Sequence, residues 1–141
     1  MKRKYRRINK RVFKRLPIAL PVALRFLGLP HDHPPLRAET QDVSLEGLSI
    51  RIEAIFKDGI SLMSEGEEHV QLIPFLVLSE KLVDVEITIT QEEPHISATG
   101  QMVWYDFESR DDAHYFKAGI FLEEMETEAR KRWEDFVRNR V

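Results

Sequence analysis

The chain has 141 residues, no cysteine and a formal net charge of −3, from 21 basic and 24 acidic side chains. This length suits one domain that buries its own core, and the lack of cysteine excludes disulfides, thiolate nucleophiles and Cys-ligated metal sites. With 43% hydrophobic and 32% charged residues, the composition is typical of a soluble globular domain and excludes a largely disordered chain.

The basic residues are concentrated at the N-terminus. Residues 1–15, the basic arm, contain nine Lys or Arg and no acid, so the remainder, with 12 basic and 24 acidic residues, has a net charge near −12. Five of the nine are arginines, whose planar guanidinium groups fork onto phosphate oxygens or guanine edges. Without a ligand we expect the arm to be mobile, because its charges repel one another and it has few apolar anchors.

An apolar stretch follows the arm at residues 17–27. Pro17 and Pro21 interrupt it, which favours an edge or entry strand over a helix. The same prolines, the early charge at Arg25 and the lack of a small-residue cleavage site exclude a secretory signal. No apolar run approaches the ~20 residues of a membrane helix, so we expect a cytoplasmic protein with no membrane span.

The following residues, 28–35, have the composition of a loop, and the polar segment 37–43 leads from it into a turn, SLEG. Within the loop, His31 and His33 have a spacing found in some metal sites. Because no third ligand is close in sequence, we predict neither a metal nor a cofactor.

Alternating apolar and polar residues then predict strands at 48–54, 83–90, 96–105 and 114–122, with a polar loop at 106–112. Residues 55–82 form an insert of ambiguous pattern. Its second half, HVQLIPFLVLSEKL, fits either a short helix with Pro74 in the first turn or a buried strand, and periodicity does not decide between them.

Apolar residues at helical spacing mark the C-terminal segment, namely Ala129, Trp133, Phe136 and Val137, with Thr127 as the expected N-cap. Five or six short strands and one closing helix predict a small antiparallel barrel or sandwich with a helix at one end. The predicted organisation is a single domain: the arm at 1–15, a barrel at 16–124 with the insert at 55–82, and a helix at 126–140.

Two motifs have the chemistry of anion and guanine recognition. The first, Arg11-Val-Phe-Lys-Arg15, places two arginines four residues apart just before the first strand. The second is Asp42-Val-Ser44-Leu-Glu-Gly47, at the turn before a clear strand. Asp42 matches the N1–H and amino group of guanine, Ser44 adds a hydroxyl, and Gly47 permits a positive φ or a close backbone approach to a ligand.

RxxxR, a proline-bearing strand and then (D/N)xSxxG resemble the signature of the PilZ domain, the bacterial receptor for cyclic di-GMP. RLPIALPVAL resembles the first strand of that family, GQMVW at 100–104 its G-x-V-V-W strand, and AGIFLEEM at 118–125 the strand before its C-terminal helix. The resemblance covers most of residues 11–54 and 83–141. It implies a six-stranded antiparallel barrel with a C-terminal helix, cyclic di-GMP as ligand, and no catalysis.

The resemblance also implies the roles of individual residues. In that family, the paired arginines on the arm bind guanines and phosphates, and the second motif forms the opposing wall of the site. The resemblance therefore implies a ligand site made by Arg11, Arg15, Asp42, Ser44 and Gly47. The register of the arginines is ambiguous, since Arg7 with Arg11 also fits RxxxR. We prefer Arg11 with Arg15 because the following LPIALPV then falls where the first strand of the family begins. Trp104 is a further candidate as a stacking face, with packing in the core as its other interpretation.

The sequence also fits other interpretations. The second motif fits a plain Asx-turn with a turn glycine, and no triad or acid–base pair supports an enzyme. A nucleic-acid-binding barrel would use the arm, although the acidic body argues against it. A PilZ-like module that docks an acidic protein without any nucleotide is the third alternative. The favoured hypothesis is that the arm orders on cyclic di-GMP and alters binding to an unidentified protein effector, in motility, exopolysaccharide or biofilm control.

Overall fold

The computed structural model describes residues 14–30 and 33–140, so that Arg7, Arg11, His31 and most of the basic arm lie outside the described residues. The described residues form eight strands and two helices: β1 Pro21–Phe26, β2 Leu36–Val43, β3 Gly47–Phe56, β4 Ile60–Met63, β5 His69–Gln71, α1 Ile73–Leu76, β6 Leu82–Ile87, β7 Ile96–Arg110, β8 Ala113–Met125 and α2 Thr127–Arg138. Within these ranges, no helix is both long and apolar enough to cross a membrane.

Six strands close into an antiparallel barrel, in the order β2-β1-β6-β7-β8-β3, with β3 pairing back onto β2. Alternate side chains point inward, as in β8, where Phe116, Ala118, Ile120 and Leu122 are all buried. Closure pairs every barrel strand on both sides. The predicted six-stranded antiparallel barrel with a C-terminal helix is therefore confirmed.

The polar segment 106–112 is strand for most of its length, so the loop predicted there is wrong. β7 and β8 continue into a long hairpin whose turn is made by Asp111 and Asp112, with φ of 53° and 66°. Two successive residues with positive φ give the twist that a tight hairpin needs. On the inner face, Phe107 packs against Phe116, with ring centroids 5.5 Å apart, so the alternation of a strand persists beneath the polar residues.

The insert fills the end of the barrel opposite the β2–β3 turn. Its strands β4 and β5 extend the sheet from the end of β3, and α1 follows with Pro74 in its first turn. The helix and strand interpretations thus each apply to part of the segment. Phe75 of α1 is fully buried and stacks on Phe26, with ring centroids 4.3 Å apart, which ties the insert to the barrel core.

The polar segment before the β2–β3 turn is a barrel strand, although its sequence predicted only a connection to the turn. Thr40 of β2 is buried at 2% exposure, and its hydroxyl satisfies two backbone groups of the segment before β1. The hydroxyl accepts the Leu20 N–H at 2.7 Å and donates to the Ile18 carbonyl at 2.6 Å. A polar residue is therefore required at this inward position, and it holds the chain that leads to the arm.

Replacing Thr40 by valine is expected to lower the free energy of unfolding by about 2 kcal/mol, because the Leu20 N–H is left without an acceptor inside the protein. Urea unfolding followed by circular dichroism measures the change, and Thr40→Ser, which keeps the hydroxyl, should retain most of the stability. Equal stability of Thr40→Val and wild type would contradict the importance of these two hydrogen bonds.

Helix α2 caps the other end of the barrel through Trp133 and Val137, both buried. Its predicted N-cap, Thr127, is wrong by one position: Glu126 is the N-cap residue, with extended φ and ψ of −61° and 153°, and no side chain caps the helix. On its flank, Arg132 donates to the Pro94 carbonyl at 3.0 Å.

Candidate functional site

A cavity of about 170 Å³ lies between the β2–β3 turn and the neighbouring parts of β7 and β8. Its lining includes five of the residues selected from the sequence: Arg15, Asp42, Ser44, Gly47 and Trp104. Arg7 and Arg11 lie outside the described residues, so the structure says nothing of their positions. Residues that are far apart in sequence therefore meet at one place in the fold.

Backbone pairing brings Arg15 to this cavity. Leu16 and Val43 exchange two hydrogen bonds, at 2.8 and 2.9 Å, which fix the chain before β1 alongside the end of β2. Arg15 Nη1 then lies 3.5 Å from Asp42 Oδ1, and the two side chains are 50% and 30% exposed. Such an exposed ion pair contributes only about 0–1 kcal/mol, so both groups are available to exchange partners with a ligand.

Ser44 shapes the turn with its own polar atoms. Its N–H donates to the Gly47 carbonyl at 2.8 Å, and its hydroxyl accepts the Gly47 N–H at 3.2 Å. The residue is also buried, at 7% exposure. This geometry is that of a turn-forming serine, and its hydroxyl is already engaged within the turn.

Gly47 is required by a close approach inside the protein, because β3 runs against β8 at this point. A methyl group on Gly47 would overlap the carbonyl oxygen of Ile120. Its φ is not positive, in contrast to Gly28 and Gly59. The positive φ expected at Gly47 is therefore wrong, and the structure shows a close approach to the backbone of β8 instead. The approach of Gly47 to a ligand stays a prediction.

Trp104 both packs and lines the cavity. It lies opposite Gly119 across β7 and β8, just after a register shift between Met102 and Trp104. The indole occupies the space where a side chain at position 119 would lie, and the residue remains 37% exposed. The packing interpretation therefore applies to the part of the side chain over Gly119, and a stacking role for the exposed part stays a prediction.

Six lining residues of the cavity were not selected from the sequence: Glu46, Leu48, Val103, Gly119, Ile120 and Phe121. Gly119 and Phe121 lie in a segment that the sequence identified only as a strand. They line the cavity because of the registers in which β8 pairs with β7 and with β3. The one local signal was a glycine within an otherwise bulky strand, which indicates a close approach by another group.

The charges around the cavity favour a base edge over a phosphate. Among the described lining residues, Arg15 is the cation, and Asp42 and Glu46 are carboxylates. Ionised carboxylates only accept hydrogen bonds, which matches the N–H donors of a guanine. The volume is below the roughly 300–1,000 Å³ of pockets that enclose a whole small molecule, so these residues form one wall of a site.

A larger groove of about 820 Å³ crosses β1, β6 and β7 away from these motifs. It is lined by five acids and two arginines: Asp84, Glu86, Glu123, Glu124, Glu126, Arg25 and Arg130. This excess of negative charge disfavours an anionic ligand. Within the described ranges, no group of three or more His, Asp or Glu residues is arranged to hold a metal ion.

No protein-family model matches the chain, and no curated protein matches it in sequence. Solved structures match in fold. PlzA of Borreliella burgdorferi, in complex with c-di-GMP, is 11% identical with a TM-score of 0.57, over 99% of this chain and 56% of that one. The PilZ domain of YcgR from Escherichia coli, with c-di-GMP, is 10% identical with a TM-score of 0.54, over 90% and 88%.

The Bacillus subtilis inhibitor of motility, MotI, is also similar, at 12% identity and a TM-score of 0.54, over 91% of this chain and 49% of that one. This chain thus spans about half the length of MotI and of PlzA. At such low identity the likeness is one of fold: the chain has the PilZ-type fold, as its motifs predicted.

Proposed function

We propose that this chain is a receptor for cyclic di-GMP and that the ligand binds between Arg15 and the turn from Asp42 to Gly47. The observation that carries the proposal is the cavity that Arg15 shares with Asp42, Ser44 and Gly47 of the second motif. The presence of c-di-GMP in PlzA and in the YcgR domain, which share the fold, supports this choice of ligand.

Each cavity residue has a role in this proposal. Asp42 accepts the N1–H and amino group of one guanine. Arg15 exchanges its long contact with Asp42 for phosphate oxygens or for guanine O6 and N7, which its forked guanidinium fits. The exposed part of Trp104 offers a face for stacking, and Ser44 and Gly47 set the shape of the turn.

The basic arm completes the site in this proposal, through Arg11 or, in the other register, Arg7. Ordering each backbone residue costs about 1–2 kcal/mol, and charge-assisted hydrogen bonds of about 1.5–3 kcal/mol each offset this cost. The ordered arm then presents a new surface, which changes the affinity for a protein effector. We therefore propose a cytoplasmic, non-catalytic signalling receptor in which arm, barrel and helix act as one unit.

Isothermal titration of the protein with cyclic di-GMP tests the proposal, with GTP and a short single-stranded DNA as controls. We expect saturable binding of cyclic di-GMP and no binding of either control. GTP carries the same base without the cyclic dinucleotide backbone, so its failure to bind would separate recognition of the whole ligand from recognition of guanine alone.

Two outcomes would contradict the proposal and redirect it. If cyclic di-GMP does not bind and DNA binds with an affinity that falls steeply with salt, the protein would be a nucleic-acid-binding barrel. If none of the three compounds binds, the remaining interpretation would be a module that docks proteins through the PilZ-type fold.

A further inference from the structure

Helix α2 is joined to the candidate binding turn by a buried hydrogen bond. The indole N–H of Trp133 donates to the Ser44 carbonyl at 3.1 Å, across 89 positions of sequence. Trp133 has no exposed surface. Because the N–H and hydroxyl of Ser44 are engaged with Gly47, the bond from the helix fixes the remaining polar group of this residue.

Beside this bond, a cavity of about 320 Å³ is lined both by Glu46, on the turn, and by Arg130 and Glu134, on α2. The polar contacts of Arg132 lie elsewhere, on the β6–β7 connection at Glu93 and Pro94. The buried Trp133 side chain therefore links α2 to the turn, and a change in the direction of the Ser44 carbonyl acts directly on the side chain that anchors α2.

We propose that Trp133 is a positioning residue for the ligand, which holds the Ser44–Gly47 turn in its binding shape and transmits ligand binding to helix α2. The inference rests on the proposed function, and it adds a second route of signalling through the C-terminal helix. Coupling of this kind is reciprocal, so a partner that stabilises the docked helix also strengthens ligand binding.

Affinity measurements on a pair of variants test the positioning role. Trp133→Phe removes the N–H donor and keeps an aromatic ring in the core. It should raise the Kd for cyclic di-GMP about fivefold, the loss of roughly one hydrogen bond. Val137→Ala is the control: it removes buried volume from the same helix, lowers the Tm, and leaves the Kd unchanged because Trp133 and Ser44 stay bonded.

19F NMR tests the transmission with both tryptophans intact. The chain has two tryptophans, Trp104 and Trp133, so protein grown with 5-fluorotryptophan gives two resonances, and the ligand-free spectrum of Trp104→Phe assigns the resonance of Trp133. At saturating cyclic di-GMP, the Trp133 resonance of the unmutated protein should shift, although the residue is fully buried. A residue that only packs in the core would give the same spectrum with and without ligand.

The outcomes separate this inference from the function on which it rests. If the wild type does not bind cyclic di-GMP, the proposed function and the inference both fall. If the wild type binds, equal Kd values for wild type and Trp133→Phe, or an unchanged Trp133 spectrum on saturation, overturn the inference alone. Should Trp133→Phe fail to fold, the Trp133 resonance of the unmutated protein with and without ligand still decides it.

Discussion

Cyclic di-GMP should bind the Arg15→Ala variant about 100-fold more weakly than the wild type, a loss of ~3 kcal/mol. This is the value of two charge-assisted hydrogen bonds from one guanidinium, each about 1.5 kcal/mol. The melting temperature should fall by less than about 4 °C, since the half-exposed pair with Asp42 adds little to folding. Isothermal titration and a thermal melt on the same preparation measure both quantities.

Arg37→Ala is the matched control for this variant. Arg37 also forms a surface ion pair, 3.7 Å from Glu65, and its side chain is 79% exposed. Its removal deletes the same charge without touching the cavity, so the Kd should match that of the wild type. If both variants bind cyclic di-GMP equally weakly, Arg15 contributes only through the net charge of the protein. If Arg15→Ala binds as tightly as the wild type, Arg15 does not contact the ligand and the proposal loses its central contact.

Gly47→Ala should lower the free energy of unfolding by about 3 kcal/mol, the upper part of the range for overpacking. The added methyl group meets the carbonyl oxygen of Ile120, a backbone atom held in the sheet between β3 and β8. A side chain would rotate away, but here the two strands must separate. Urea unfolding followed by tryptophan fluorescence measures the loss.

Gly66→Ala is the comparison for this substitution. Its methyl group would lie 3.1 Å from Pro34 Cγ, a side-chain atom in the segment before β2, so a shift of a few tenths of an ångström accommodates it. The urea midpoint of Gly66→Ala should stay close to that of the wild type. A Gly47→Ala protein with the same midpoint would refute the close approach of β3 and β8 at this register.

The sequence was enough to predict the barrel because the alternation of apolar and polar residues lies within each strand. Alternation in segments such as 48–54 and 83–90 reports which face of a strand is buried, and this pattern does not depend on the partner strand. The helix was found for the same reason. Of the predicted site residues, Arg15 lies beside Asp42, Ser44 and Gly47 because Leu16, the residue after Arg15, pairs with Val43 at the end of β2.

What the sequence could not predict depends on contacts between distant segments. Phe107 is one apolar residue among polar ones, so only its packing on Phe116 distinguishes a strand from a loop at 106–112. The reason for Gly47 lies in β8, and the anchor of the Ser44 carbonyl lies in α2 at Trp133. No local pattern contains these pairings.

The crowding at Gly47 has a consequence for comparing this chain with others of its fold. A glycine that the strand packing demands will persist in descendants that have lost the ligand, and so will the serine that closes the turn. Arg15 and Asp42, half-exposed and weakly paired, are free to drift once selection for binding ends. In a set of related sequences, the arginine and the aspartate would therefore separate receptors from proteins that keep only the barrel, whereas Ser44 and Gly47 would not.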